Sequence, residues 1–131
     1  MKILSLLTLT LLATPALAAE PAAKRAVDVR AEAGDKTTEA FADALRAALP
    51  AGERLRVQTP DEDDDLALVI ANVAPDGKKF GFSIDLLKMN PGFTPSRVGA
   101  FAGKCRETEL AACAKGVIAD ADKAVKKAAK D

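Results

Sequence analysis

Apolar residues recur along this chain with two different periods, and the points where the period changes divide it into elements. Over residues 25–32, Val27, Val29 and Ala31 alternate with Asp28 and Arg30, and period two is the signature of a strand. From Gly34 onward the spacing changes. Phe41, Ala44, Leu45, Ala48 and Leu49 fall at i, i+3, i+4, i+7 and i+8, the stripe of an amphipathic helix. Asp35 or Thr37 supplies its N-cap, and Glu39 sits in the first turn, where the helix dipole favours an acid. Pro50 and Gly52 end it. Leu55 and Val57 then alternate with Arg54, Arg56 and Gln58, which predicts a second strand over 54–59.

After an acidic stretch, residues 66–74 are apolar on both faces, as in a central strand covered at least partly on both sides. Pro75-Asp76-Gly77-Lys78 predicts a hairpin, because Asp-Gly tolerates the positive φ of a tight turn. Over 79–88, Phe80, Phe82, Ile84 and Leu86 share one face, and Lys79, Gly81, Ser83 and Asp85 the other. Residues 89–95 form a loop around Pro91-Gly92, and 96–104 a last strand of mostly small residues. Finally Leu110, Cys113, Ala114, Val117, Ile118, Ala121, Ala124, Val125 and Ala128 keep helical spacing. They predict a long helix over 108–130 with Thr108 as N-cap. Lys123, Lys126, Lys127 and Lys130 lie near its C-terminus, where cations complement the dipole.

The predicted order is β-α-β-β-β-β-α. The expected fold is α+β: an antiparallel sheet of four to five strands with two helices packed on one face, in a single domain over 25–131.

The first residues do not fit this domain. Met1-Lys2 is a short positive start, 3–12 is an apolar run broken only by Ser5, Thr8 and Thr10, and Ala16-Leu17-Ala18 is a small-residue cleavage site. That order reads as a secretory signal peptide over 1–18, followed by a flexible leader over 19–24. The run is roughly half of the ~20 residues a membrane span needs, so no membrane insertion is expected after cleavage. The expected location is the periplasm or the medium.

Export changes the reading of Cys105 and Cys113, the two cysteines of the chain. An oxidising compartment favours a disulfide between them. On one continuous helix they would lie about 12 Å apart along the axis, whereas a bridge needs Cα atoms within about 7 Å. Cys105 must therefore precede the final helix, with the chain turning back toward Cys113. The pair lacks the C-x-x-C spacing of a redox couple.

Composition narrows the chemistry. There are 19 basic and 19 acidic residues, net charge zero, and no basic run of the kind that nucleic acid requires. His is absent, which removes Ser-His-Asp and Cys-His catalysis and the usual zinc sites. Ser83 and Ser96 lie outside any G-x-S-x-G, and no P-loop or G-x-G-x-x-G is present. No cofactor is expected. Carboxylate chemistry remains. A small glycan hydrolase would draw a pair from Asp28, Asp61 to Asp65, Asp76 and Asp85.

Two segments stand out as sites. In Asp61-Glu62-Asp63-Asp64-Asp65, the residues Asp61, Asp63 and Asp65 match the first three ligand positions of a calcium loop. The sixth is Leu66 rather than Gly and the twelfth is Asn72 rather than Glu, so the match supports only a weak cation site beside the reading as a solvated connector. The loop Met89-Asn90-Pro91-Gly92-Phe93-Thr94-Pro95 carries two large apolar side chains in a proline-stiffened turn, which lowers the ordering cost of binding. Met89 and Phe93 are the candidate partner-binding residues, with capping of the core as the alternative role. The expected function is thus an exported, non-catalytic binding or accessory protein of the cell envelope (an inhibitor, immunity or assembly factor) that acts by contact with a protein partner. The glycan hydrolase and the calcium module are the alternatives.

Overall fold

The computed structural model describes residues 23–130. The signal peptide expected over 1–18, most of the leader expected over 19–24, and Asp131 lie outside the described residues.

Strand β1 (Arg25–Ala31) leads into helix α1 (Lys36–Ala48), which ends in a 3-10 turn at Leu49–Ala51. Asp35 is the N-cap: its carboxylate accepts from the Thr38 backbone N–H at 3.0 Å and from the Thr38 hydroxyl at 2.6 Å. Strands β2 (Leu55–Val57), β3 (Leu66–Asp76), β4 (Lys79–Lys88) and β5 (Ser96–Arg106) follow. A second 3-10 turn at Glu107–Glu109 then opens helix α2 (Leu110–Lys130). Thr108 therefore lies inside that turn and is not the cap expected from the sequence; the chain leaves the extended conformation at Arg106.

The fold is α+β, with both helices on one face of a five-stranded sheet ordered β2-β1-β3-β4-β5. α1 packs on β1 and β3, α2 on β5, and the helices pack on each other. Between sheet and helices lies one core, built from Val27, Val29, Leu55, Leu66, Leu68, Ile70, Phe80, Ile84 and Leu86 of the strands. Phe41, Leu45 and Leu49 come from the first helical segment, and Val117, Ile118, Ala121 and Val125 from the second. Phe41 is its aromatic centre, with ring centroids 5.4 Å from Phe80 and 4.9 Å from Phe82. Edge and tilted aromatic contacts of this kind add to the burial itself.

The sheet is mixed, not wholly antiparallel. β3, β4 and β5 form the expected antiparallel meander, joined by a tight turn in which Gly77 takes φ +65°. β1, however, runs parallel to both its neighbours. The β1-α1-β2 segment is a helical crossover, which returns the chain in the same direction. The connection from β2 to β3 also joins parallel strands, with only the eight residues 58–65 between them. Parallel connections usually need a dozen or more residues, because the chain must travel back along the strand. Here it need not. β2 pairs only with Arg25 to Val27, and β3 takes over opposite Val27 and continues to Ala31. The connection has to cross β1 sideways by two strand spacings, roughly 10 Å. β2 is accordingly three residues long instead of the six expected, and Val57 at its end is 39% exposed.

The disulfide Cys105–Cys113 is present with Cα atoms 6.1 Å apart. It fastens the end of β5 to the first turn of α2, the geometry that the spacing requires.

Candidate functional site

Even-numbered positions of β1 carry Asp28 and Arg30 on the face of the sheet away from the helices, and the 58–65 connection lies against them. Arg30 donates to Asp28 at 2.7 Å and to Asp64 at 2.7 Å. Arg25 grips Asp65 with two bonds, Nε to Oδ2 at 3.0 Å and Nη2 to Oδ1 at 2.6 Å. Arg56 of β2 makes a two-pronged pair with Glu62, whose Oε1 also accepts from the Thr59 backbone N–H at 2.8 Å and its hydroxyl at 2.9 Å. Gln58 is anchored at both ends of its residue: its backbone N–H donates to Val27 O at 3.0 Å and its side-chain amide to Asp64 at 3.0 Å. Paired guanidinium–carboxylate geometry of this kind fixes orientation as well as adding energy.

These pairings set the charge state of the loop. Hydrogen bonds from Arg56, then from Thr59, pull the Glu62 carboxyl down to about 2. Arg25 holds Asp65 below the ordinary carboxylate range, and Gln58 together with Arg30 does the same for Asp64. The guanidinium groups of Arg25, Arg30 and Arg56 are correspondingly raised, chiefly by their bonds to Asp65, Asp28 and Glu62. The acidic run is therefore a strap tied to β1 and β2. Asp61, Asp63 and Asp65 do not converge as calcium ligands would, because Asp65 is turned onto Arg25. Among the described residues no group of three acidic or cysteine side chains is placed to hold a metal ion.

The 89–95 loop lies beside this strap. The Met89 backbone N–H donates to Asp65 O at 2.8 Å, extending the β3–β4 ladder by one pair. Phe93 N–H donates to Asn90 O at 2.8 Å, and the Asn90 side chain donates to Thr94 O at 3.1 Å and to Ser96 Oγ at 2.9 Å. Gly92 takes φ +81°, which favours glycine at the tip. The loop is thus braced internally. Met89 is half-buried, whereas Phe93 stands out at 81% exposed.

The two candidate segments lie side by side, although of the three acids matched to a calcium loop only Asp63 faces the concavity between them. Asp63 and Asp64 from the strap, with Met89, Asn90, Pro91, Gly92 and Phe93 from the loop, line a shallow concavity of about 480 Å³. It is aromatic on one side and anionic on the other. The remaining acids considered for catalysis are dispersed and paired: Asp28 with Arg30, Asp76 with Lys104 at 3.0 Å, and Asp85 with Arg97 at 3.5 Å. Lys104 holds Asp76 below its ordinary range.

Reading by sequence missed the arginine anchors and one further residue, Asp122. Its carboxylate accepts from the backbone N–H of Glu53 at 2.8 Å and of Arg54 at 3.1 Å, clamping α2 to the entry of β2. The available signal was its position: Asp122 falls at i+4 from Ile118 and beside Ala121, on the apolar stripe of the helix. A Cβ at Gly52 would approach it to 3.1 Å, so glycine there serves the clamp as well as the end of the preceding helix. No described helix is long and apolar enough to cross a membrane. No protein-family model matches the chain, and no curated protein matches it significantly.

Proposed function

We propose that this protein is an exported, non-catalytic binding or accessory module of the cell envelope that engages a protein partner through the 89–95 loop. The observation that carries the reading is the 81% exposure of Phe93 on a loop whose backbone is already braced. An aromatic side chain held out of the core at low ordering cost has the features of an interface anchor. The neighbouring Asp63 and Asp64 suit a partner segment that combines a basic with an apolar side chain. Arg and Lys offer both, since a cation can lie over the Phe93 ring while meeting a carboxylate. The disulfide fits the oxidising compartment to which the 1–18 signal would deliver the chain.

The carboxylate-hydrolase reading finds less support. A general acid at neutral pH needs a carboxyl pushed up by burial or by a like charge. Those of Asp35, Glu62, Asp64, Asp65 and Asp76 are all moved down.

The test is affinity capture from envelope extract on the immobilised protein, with Phe93→Ala as control. A specific partner retained by the wild type and lost by the variant is expected, with thermal midpoints that agree within about 1 °C, because little area is lost from the fold. If Phe93→Ala instead lowers the midpoint by many degrees, or binds every specific partner equally, the loop is not the binding surface.

A further inference from the structure

β5 is the last strand of the sheet, eleven residues long, and among the described residues nothing pairs with its outer side. Natural edge strands are normally blunted by shortness, charge, proline or a covering element. The other free edges of this sheet follow the rule: β2 is three residues long, and the part of β3 beyond β1 carries Pro75, which has no amide to offer. On β5 a bulge at Val98 protects the beginning and the exposed Lys104 and Arg106 charge the end, which leaves Gly99–Gly103 as a regular, uncharged stretch between them.

The direction of its free groups follows from the ladder. Met89 N–H donates to Asp65 O, so alternation turns the polar backbone groups of Leu87 and Asp85 toward β3 and those of Leu86, Ile84, Phe82 and Phe80 toward β5. Their partners on β5 are Gly99, Phe101, Gly103 and Cys105. Ala100, Ala102 and Lys104 therefore direct their amide and carbonyl groups outward. The Ala100 and Ala102 side chains are exposed and too small to keep another strand away.

We propose that this edge pairs antiparallel with β5 of a second copy of the chain, about a two-fold axis at Phe101, to give a dimer with a continuous ten-stranded sheet. A two-fold axis perpendicular to the sheet preserves its faces, and directly opposed residues share a face. The axis must then pass through a residue position. Phe101 is the midpoint of Ser96–Arg106, so centring there pairs the regular, uncharged segment Gly99–Gly103 with itself. It is also the centre of the palindrome Gly99-Ala100-Phe101-Ala102-Gly103. Gly99 meets Gly103, Ala100 meets Ala102, and Phe101 meets its own copy in the close, non-hydrogen-bonded position where aromatic cross-strand pairs gain most. Past this segment the bulge at Val98 brings Arg97 of one copy opposite Lys104 of the other. Arg97 and Lys104 are also engaged inward, on Asp85 and Asp76.

Analytical ultracentrifugation of the purified protein from 1 to 200 µM tests this, beside Ala102→Pro and Phe93→Ala. Ala102→Pro deletes an outward amide and leaves the β4 ladder intact, a placement that proline tolerates on an edge; circular dichroism checks that it folds. The expected result is a dimer for the wild type and Phe93→Ala, and a monomer for folded Ala102→Pro. Amide exchange gives a second readout that needs no variant, since the Ala100 and Ala102 amides should be protected at high concentration and lose that protection on dilution. A wild type that stays monomeric throughout, a folded Ala102→Pro that still dimerises, or exchange at these amides that is independent of concentration overturns the proposal.

Discussion

Replacing both cysteines, Cys105→Ala with Cys113→Ala, separates two contributions to stability that the structure places at one point. The bridge closes a short loop, with a sequence separation of 8. In the chain-entropy model such a loop restricts the unfolded chain by about 2.5 kcal/mol at 25 °C. Cys105 is also a core residue, 2% exposed, so trimming its sulfur costs roughly a further 1 kcal/mol of packing. Alanine is the right replacement, since serine would bury a hydroxyl in an apolar site. The expected total is about 3–4 kcal/mol, a large share of the ~5–15 kcal/mol typical of a domain. It corresponds to a fall in Tm of roughly 15–25 °C at this size. The assay is urea unfolding followed by far-ultraviolet circular dichroism, on the oxidised wild type, the wild type in reductant, and the double variant. Reduction breaks the tie while keeping both sulfur atoms. Most of the loss should therefore appear on reduction, with a smaller additional step in the variant. If the three midpoints coincide, the bond neither restrains the unfolded chain nor secures α2, and the reasoning fails. If reduction alone has no effect while the variant is destabilised, the cysteines matter as packing and not as a tie.

Asp122→Ala strands the amides of Glu53 and Arg54 at the entry to β2 and should cost about 1–2 kcal/mol in the same assay. Asp122→Asn, which keeps one acceptor, should cost less, and equal effects would mean that the clamp acts by charge alone. Acid should loosen the strap. Glu62, Asp64 and Asp65 have folded values below their unfolded ones, so the stability they contribute is complete above the unfolded value and disappears as pH falls through the folded one. For Glu62 that window runs from its ordinary 4.5 to about 2. Thermal midpoints measured from pH 6 to pH 2 should fall across it, and Glu62→Gln should flatten the profile; an unchanged slope in that variant contradicts the assignment.

Much of the fold was legible because its elements obey local rules. The Phe41-to-Leu49 stripe and the alternation over 79–88 are each decided by near neighbours, and each lies where its period predicts; the tight turn falls one residue later than expected, at Gly77-Lys78, because Asp76 still pairs with Lys79. The mixed sheet was not legible for a physical reason. Strand direction depends on register between segments far apart in sequence, and only the handover at Val27 from β2 to β3 allows eight residues to join parallel strands. Nothing in the local composition of 58–65 records where on β1 its two ends lie. The same holds for Thr108, a good cap by residue type. The disulfide and the end of β5 fix the chain so that a 3-10 turn forms first, and the regular helix starts at Leu110.

The site shows the same division between local and non-local information. Phe93 could be marked from its neighbours, because a large apolar residue between two prolines has few ways to reach a core. The acidic run could be marked as well, but its chemistry could not. Five consecutive acids look like ligands or solvated surface until the arginines that meet them are placed, and those come from β1 and from β2, before and after helix α1. Once Arg25, Arg30 and Arg56 are set against it, the run becomes the restraint on the one connection that must cross β1 without a helix. By holding Asp65 opposite Met89 it also positions the 89–95 loop. The role of the acids is then to fix the strap against which Phe93 is displayed, while Asp63, which makes none of these ion pairs, is left facing the concavity beside it.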